Sequence, residues 1–168
     1  MLINKSPRVI FFSGFLVCAG LMVAALYFQY VMHLEPCPLC IFQRLLVIGA
    51  GLILLAGALQ NPGVLGQRLY GGMIALDASL GAAVAGRHLW IQSLPFDQLP
   101  GCSYDFDTML EKFPWQKTLK LVFEGTGECA KVDWTFLGLS MPGWTLIFFT
   151  GLVGLGMMLV FSPVGKPR

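Results

Sequence analysis

Four long apolar runs, nearly free of charge, constrain this chain more than any other feature. They lie at about 10–32, 41–59, 69–90 and 142–161, each close to the roughly 20 residues a helix needs to cross a bilayer core. Of the 168 residues, 12% are charged and 56% hydrophobic, with a mean hydropathy of +0.72. Soluble domains carry about 25% charged residues, so the density here is half the usual one. The expectation is an all-α membrane protein, a single integral domain built as a four-helix transmembrane bundle. The remainder is too short for a separate globular domain. A formal net charge of +2 is too small and too scattered to suggest nucleic acid.

The first run follows Lys5 and Arg8. It is too long for the apolar region of a signal peptide, and no small-x-small cleavage site follows it. Leu16 and Val17 stand before Cys18 where a lipoprotein signal would have small residues. The run is therefore expected to be a retained anchor, with Cys18 a buried packing residue. Pro36 ends it, and Gln60-Asn61-Pro62-Gly63 ends the second run with a strong turn signal. The third run is dominated by small residues, among them Gly71, Gly72, Ala75, Ala78 and Gly81. Such a face lets helices approach closely, which predicts a central place in the bundle. Residues 93–141 form the one sizeable polar loop. Within it, Phe106, Met109, Leu110 and Phe113, and then Trp115, Leu119, Val122 and Phe123, recur at helical spacing. Two short interfacial helices are expected there, or else a loop folded back on itself. Ser140 and Pro142 start the fourth run.

Orientation follows from lysine and arginine near the span ends. Lys5, Arg8, Arg68, Lys166 and Arg168 fall on one side with no acid among them, while the lysines of the 93–141 loop are mixed with acids. Arg44 and Arg87 count against this, yet the balance puts both termini in the cytoplasm. Cys37, Cys40, Cys102 and Cys129 then lie outside, on the oxidising face of a bacterial inner membrane.

Those four cysteines carry the chemistry. Cys37-Pro38-Leu39-Cys40 sits in the hinge between the first two runs, with Cys40 where a helix should begin and Arg44 one turn further on the same face. A helix N-terminus and a guanidinium both favour thiolate over thiol. Cys102 follows Pro100-Gly101, and Cys129 follows Gly125-Thr126-Gly127, flanks that expose a sulfur and let it move. Three arrangements compete. A zinc site would want a second close pair, whereas 102 and 129 are 27 residues apart. Two inert structural disulfides are possible, although a CxxC bridge closes too small a loop to constrain much chain. In the third arrangement a pair in the loop exchanges disulfides with the pair at the membrane surface.

Such a relay needs an acceptor, and the sequence has no haem-attachment, dinucleotide or metal-cluster motif. A membrane quinone, ubiquinone or menaquinone, is the natural two-electron, two-proton carrier. Arg44 is placed to bind its carbonyl. His88 is a second candidate for the same site or for carrying protons, against the plain reading of Arg87 and His88 as snorkelling residues and Trp90 as an interfacial anchor. Asp77 lies inside the third run. Such depth marks a functional candidate by default, but a protonated or hydrogen-bonded structural acid is the preferred expectation.

Cys37-Pro38-Leu39-Cys40-Ile41-Phe42-Gln43-Arg44 resembles the signature of the disulfide bond formation protein B family (DsbB), the bacterial quinone-dependent thiol oxidases. Gly86-Arg87-His88-Leu89-Trp90 and Phe136-Leu137-Gly138-Leu139-Ser140-Met141-Pro142 match it further, in the same order, so the resemblance covers nearly the whole chain. A DsbA–DsbB–quinone route keeps the bacterial periplasm oxidising. By resemblance, Cys102 would form the mixed disulfide with a periplasmic thioredoxin-fold dithiol oxidase of the DsbA type, and Cys129 would be its pair. Cys37 would exchange with the loop cysteines and Cys40 would contact the quinone. Arg44 would match the family's quinone-site arginine, and His88 a histidine of the same site. Asp77 and Cys18 match no signature. The rival from another class is a non-catalytic membrane subunit whose cysteines staple the outer loop. A resting staple should resist exchange with a thioredoxin-like protein; a relay should not.

Overall fold

The computed structural model describes residues 6–94, 127–130, 132 and 134–163. Four long helices dominate it: α1 (Pro7–Tyr30), α2 (Pro38–Gln60), α3 (Val64–Gln92) and, after a short α4 (Gly127–Ala130), α5 (Met141–Phe161). All four long ones have the length and hydropathy to span a membrane. This is a four-helix membrane bundle, as expected.

The helix ends follow local chemistry. Pro7, Pro38 and Pro142 stand in first turns, where proline's missing N–H removes no helical bond. Asn61 closes α2 in the left-handed region (φ 44°), a conformation asparagine tolerates better than most residues. α3 starts at Val64, earlier than the 69 read from hydropathy, because helix geometry does not wait for the polar Gln67 and Arg68 to pass. α1 stops at Tyr30 rather than 32. His33 turns the chain with φ 53°, and the Leu34 N–H donates to the Phe28 carbonyl at 3.1 Å.

α1 packs on α2, α2 on α3, and α3 on α5, the α3–α5 interface being the most extensive. Glycine makes that last contact possible. A Cβ on Gly71 would lie 2.7 Å from the Gly156 carbonyl oxygen, and one on Gly81 would meet the Phe149 ring at 2.4 Å. In lipid, where helices gain nothing by burying apolar surface from one another, such close backbone approach supplies the association. The membrane-depth core is apolar: Phe11, Leu54, Ile74, Phe149 and Leu159 are fully buried within it.

Between α4 and α5 the chain forms a small hairpin that hydropathy did not signal. β1 (Thr135–Phe136) pairs antiparallel with β2 (Leu139–Ser140), through Leu137 and Gly138, both at positive φ (52° and 79°). Two left-handed residues at the centre are the requirement of a tight hairpin whose twist matches its strands. Ser140 precedes α5 as expected, but its hydroxyl does not cap the helix; it donates to Gln92 Oε1 at 2.8 Å, tying the hairpin to the end of α3. The two interfacial helices expected at about 105–123 fall outside the described residues.

Candidate functional site

The CxxC pair stands at the start of α2. Cys37 is the residue that precedes the helix and Cys40 lies in its first turn, so Cys40 is among N–H groups that no helical carbonyl satisfies. The two sulfurs are 3.2 Å apart, both as free thiols, a separation that small side-chain rotations can close to a bond of about 2.05 Å. Cys37 and Leu39 belong to a second apolar cluster with Val84, Ile91, Cys129 and Ala130, and Cys40 packs against it. Hydrocarbon thus shields the sulfurs on one side.

α4 brings Cys129 into that cluster, where its side chain is 1% exposed. From α3 comes His88, 2% exposed. Its Nε2 lies 3.7 Å from Cys37 Sγ and 3.1 Å from the Cys129 carbonyl oxygen. The sulfurs of Cys37 and Cys129 and a ring nitrogen of His88 all fall within 4.8 Å of one another. Three buried soft donors at that spacing are also geometrically able to share a thiophilic cation, a possibility the sequence spacing of the cysteines had argued against. The snorkelling reading of His88 does not hold: the ring points into the bundle while its neighbour Trp90, 61% exposed, faces outward as an interfacial anchor would.

A cavity of about 460 Å³ borders Cys37 and Cys40 and is lined from α1, α2, α3 and α5 together with the outer connections. Leu21, Met22, Ala25 and Phe28 of α1 and Val47 of α2 make an apolar wall; Cys40, Arg44 and His88 supply polar groups. The size and the few convergent polar groups are those of a small-molecule site. Arg44 is held from α1, one guanidinium nitrogen donating to Gln29 Oε1 and another to the Ala25 carbonyl at 3.2 Å. Above it, Trp134 packs on Phe28 with ring centroids 5.0 Å apart and stacks on Phe136 at 5.9 Å, closing part of the outer rim.

Of the residues singled out from sequence, Cys37, Cys40, Cys129, Arg44 and His88 therefore converge, whereas Cys102 lies outside the described residues. Asp77 and Cys18 are elsewhere. The Asp77 carboxylate faces Gly49, where a Cβ would stand 3.0 Å from Oδ1. Its Oδ2 is buried with no hydrogen-bond partner among the described residues, so the hydrogen-bonded form of that expectation is not met at this atom. Cys18 is buried in the apolar core. Sequence reading passed over Gln29, Gln43 and Thr145 as residues in their own right, though each is polar inside an apolar run. Thr145 Oγ1 donates to Gln43 Oε1 at 2.6 Å, and Gln43 Nε2 lies 3.3 Å from His88 Nδ1.

Residues 7–159 match the family model described as "Disulfide bond formation protein DsbB". The chain belongs to the DsbB family. It is 52% identical to "Disulfide bond formation protein B" of Marinobacter nauticus over 94% of this chain and 96% of that protein. It is 50% identical to the protein of the same name in Hahella chejuensis, over 96% of each chain. "Disulfide bond formation protein B 1" of Pseudomonas aeruginosa is 44% identical, over 91% of this chain and 94% of the other. As a DsbB-family member the chain is a multi-pass membrane protein of disulfide bond formation, an oxidoreductase role that the clustered thiols fit.

Proposed function

We propose that this DsbB-family protein is a thiol:quinone oxidoreductase of the bacterial inner membrane. It reoxidises a periplasmic thioredoxin-fold dithiol protein of the DsbA type and passes two electrons to ubiquinone or menaquinone. One juxtaposition carries the reading: the Cys129 sulfur lies close to Cys37 in a buried cluster, and the CxxC pair borders a ligand-sized cavity that a fixed arginine also lines.

The chemistry runs through the sulfurs. A thiolate of the partner attacks the Cys102–Cys129 disulfide at Cys102, and the electron pair of the broken bond stays on Cys129. The partner's second thiol resolves the mixed disulfide, leaving the partner oxidised and both loop cysteines reduced. Cys129 then attacks Cys37 of the Cys37–Cys40 disulfide, and Cys40 departs as a thiolate. Cys102 attacks Cys129, restoring the loop disulfide and releasing Cys37. Finally Cys37 and Cys40 close their bond again, giving up two electrons and two protons. A quinone held by the residues that line the cavity would supply the acceptor for both. Arg44 orients the acceptor's carbonyl oxygen and stabilises negative charge there, and the apolar wall formed by α1 keeps water from the sulfur. Roughly 30 mV of potential difference corresponds to about 1.4 kcal/mol for this two-electron couple, so a higher-potential quinone drives the sequence forward.

The test is anaerobic reduction of soluble ubiquinone and menaquinone analogues by the purified protein, supplied with a reduced DsbA-type partner. Turnover in wild type and its loss in both Cys40→Ser and Cys102→Ser is the expected result. Turnover that survives Cys40→Ser would remove the CxxC pair from the electron path. Absence of turnover with either quinone in wild type would favour the stapled, non-catalytic subunit.

A further inference from the structure

Cys37 from the start of α2, His88 from α3 and Cys129 from α4 bring two sulfurs and a ring nitrogen within 4.8 Å of one another, and all three side chains are buried. His88 Nε2 lies 3.7 Å from Cys37 Sγ. Zinc(II) bonds of about 2.3 Å to sulfur and about 2.0–2.1 Å to nitrogen, at tetrahedral angles, hold two such atoms about 3.5 Å apart and two sulfurs about 3.8 Å apart. The observed spacing therefore needs shifts of only about 1 Å to become that of a shared cation. The sequence offered no second close cysteine pair for a zinc site; the third ligand comes instead from α3, 51 residues from Cys37. The ring is also held from behind. The Gln43 amide stands 3.3 Å from Nδ1, the place where a coordinated imidazole has its outer partner.

Zinc(II) with two thiolates and one neutral imidazole carries no net charge. That balance suits the surroundings, because an uncompensated charge is costly to bury and Leu39, Val84, Ile91 and Ala130 complete an apolar cluster around the two cysteines. The fourth position falls to an oxygen, from water or from the Cys129 carbonyl, which lies 3.1 Å from Nε2. The cavity that Cys37 and His88 line supplies the entry. Binding displaces the protons of two thiols, which leave to solvent, and nothing is oxidised or reduced.

We propose that Cys37, Cys129 and His88 form a zinc(II) site of the fully reduced protein, closed whenever either cysteine is in a disulfide. The ligand a cysteine offers a metal is its thiolate, and a sulfur in a disulfide bond has none to offer. Zinc and disulfide thus exclude each other at the same two atoms, and the bound cation holds the reduced chain back from reoxidation. The site stands on the geometry of the three side chains. Its effect on turnover rests on the reading of Cys37 and Cys129 as exchange sulfurs.

The experiment titrates zinc alone into the reduced full-length protein in detergent, reading affinity by calorimetry and the ligand shell by X-ray absorption. Reduced wild type is expected to take up zinc in a shell of two sulfurs and one imidazole nitrogen, and disulfide-oxidised wild type to leave that shell unformed. Gln43→Leu should weaken binding by roughly ten- to a hundredfold, the scale an outer-shell partner carries. Cys37→Ser, Cys129→Ser and His88→Ala should each weaken it by more than that. Uptake unchanged by oxidation, or undiminished in Cys129→Ser and His88→Ala, would overturn the proposal, as would a shell without imidazole. The wild-type absorption spectrum decides it even where His88→Ala does not fold. Reoxidation of the reduced protein by a soluble ubiquinone analogue, with no partner protein present, should slow in zinc and recover when a chelator is added. Reoxidation that bound zinc does not slow would overturn the block. A protein that takes up zinc in this shell yet is not reoxidised by quinone even without zinc would overturn the acceptor and not the site.

Discussion

Arg44, which we propose binds the acceptor, is held in place by its neighbours. Its guanidinium is planar and offers five donors in a rigid fork, and two of its nitrogens are occupied by Gln29 and the Ala25 carbonyl of α1. The side chain also lines the cavity that Cys40 shares. Lysine lacks the fork, so Arg44→Lys should hold neither the α1 contacts nor the orientation. A hydrogen bond to a charged group contributes about 1.5–3 kcal/mol, so Arg44→Gln and Arg44→Lys should both raise the quinone KM by on the order of ten- to a hundredfold. Partner-side exchange, measured by disulfide transfer to the loop cysteines, should change little. A rise confined to the partner's KM would place Arg44 outside the acceptor site. The arginine and the CxxC were legible in the sequence because their spacing is local: one helical turn separates Cys40 from Arg44. Gln43 and Thr145 were not, since their contact joins positions 102 residues apart and no local pattern encodes it. His88 was legible as a candidate, but its inward direction depends on the rotation of α3 against α2, which hydropathy does not fix.

At the scale of elements, apolar length gave the four spans, while their ends shifted wherever backbone geometry overrode hydropathy. α3 reaches back to Val64, and α1 yields to the His33 turn at Tyr30. The hairpin at 135–140 was invisible to hydropathy, being two residues per strand and set by the positive φ of Leu137 and Gly138. The small-residue face of α3 was legible, and its use is specific: Gly71 and Gly156 lie backbone to backbone, with a Cβ on Gly156 coming within 2.6 Å of the Gly71 carbonyl oxygen. The contact is with backbone, so no rotamer change relieves it. Gly71→Ala and Gly156→Ala should each destabilise the bundle by about 1–3 kcal/mol, as overpacking does. Gly72→Ala and Gly151→Ala, which meet nothing within 4 Å, should leave it unchanged or slightly more stable. Thermal unfolding in detergent measures the difference, and equal loss in both pairs would mean helix propensity and not close approach governs these positions.

For the whole molecule, the arrangement of the helix ends fixes which groups share a membrane face. Arg8 at the start of α1 donates through Nε to the Ala58 carbonyl near the end of α2, at 2.9 Å, where a cation meets the negative end of the helix dipole. That contact puts Arg8, the 61–63 turn and the start of α3 at one end. Cys37, Cys40, Cys129, the cavity and the hairpin lie at the other. With four spans the start of α1 and the end of α5 share the first face, which we propose, on the positive-inside rule, to be the cytoplasmic one. The assignment matters chemically, because disulfides persist in an oxidising compartment and are reduced in the cytosol. Single cysteines introduced at Gln60 and Leu137 into a chain whose five native cysteines are replaced by serine report it directly. Leu137→Cys should react with a membrane-impermeant thiol reagent in cells whose inner membrane is intact, and Gln60→Cys only once that membrane is opened. The reverse pattern would place the CxxC pair against the glutathione pool. A relay that makes disulfides could not run outward from there, so the proposed direction of electron flow would fall along with the topology.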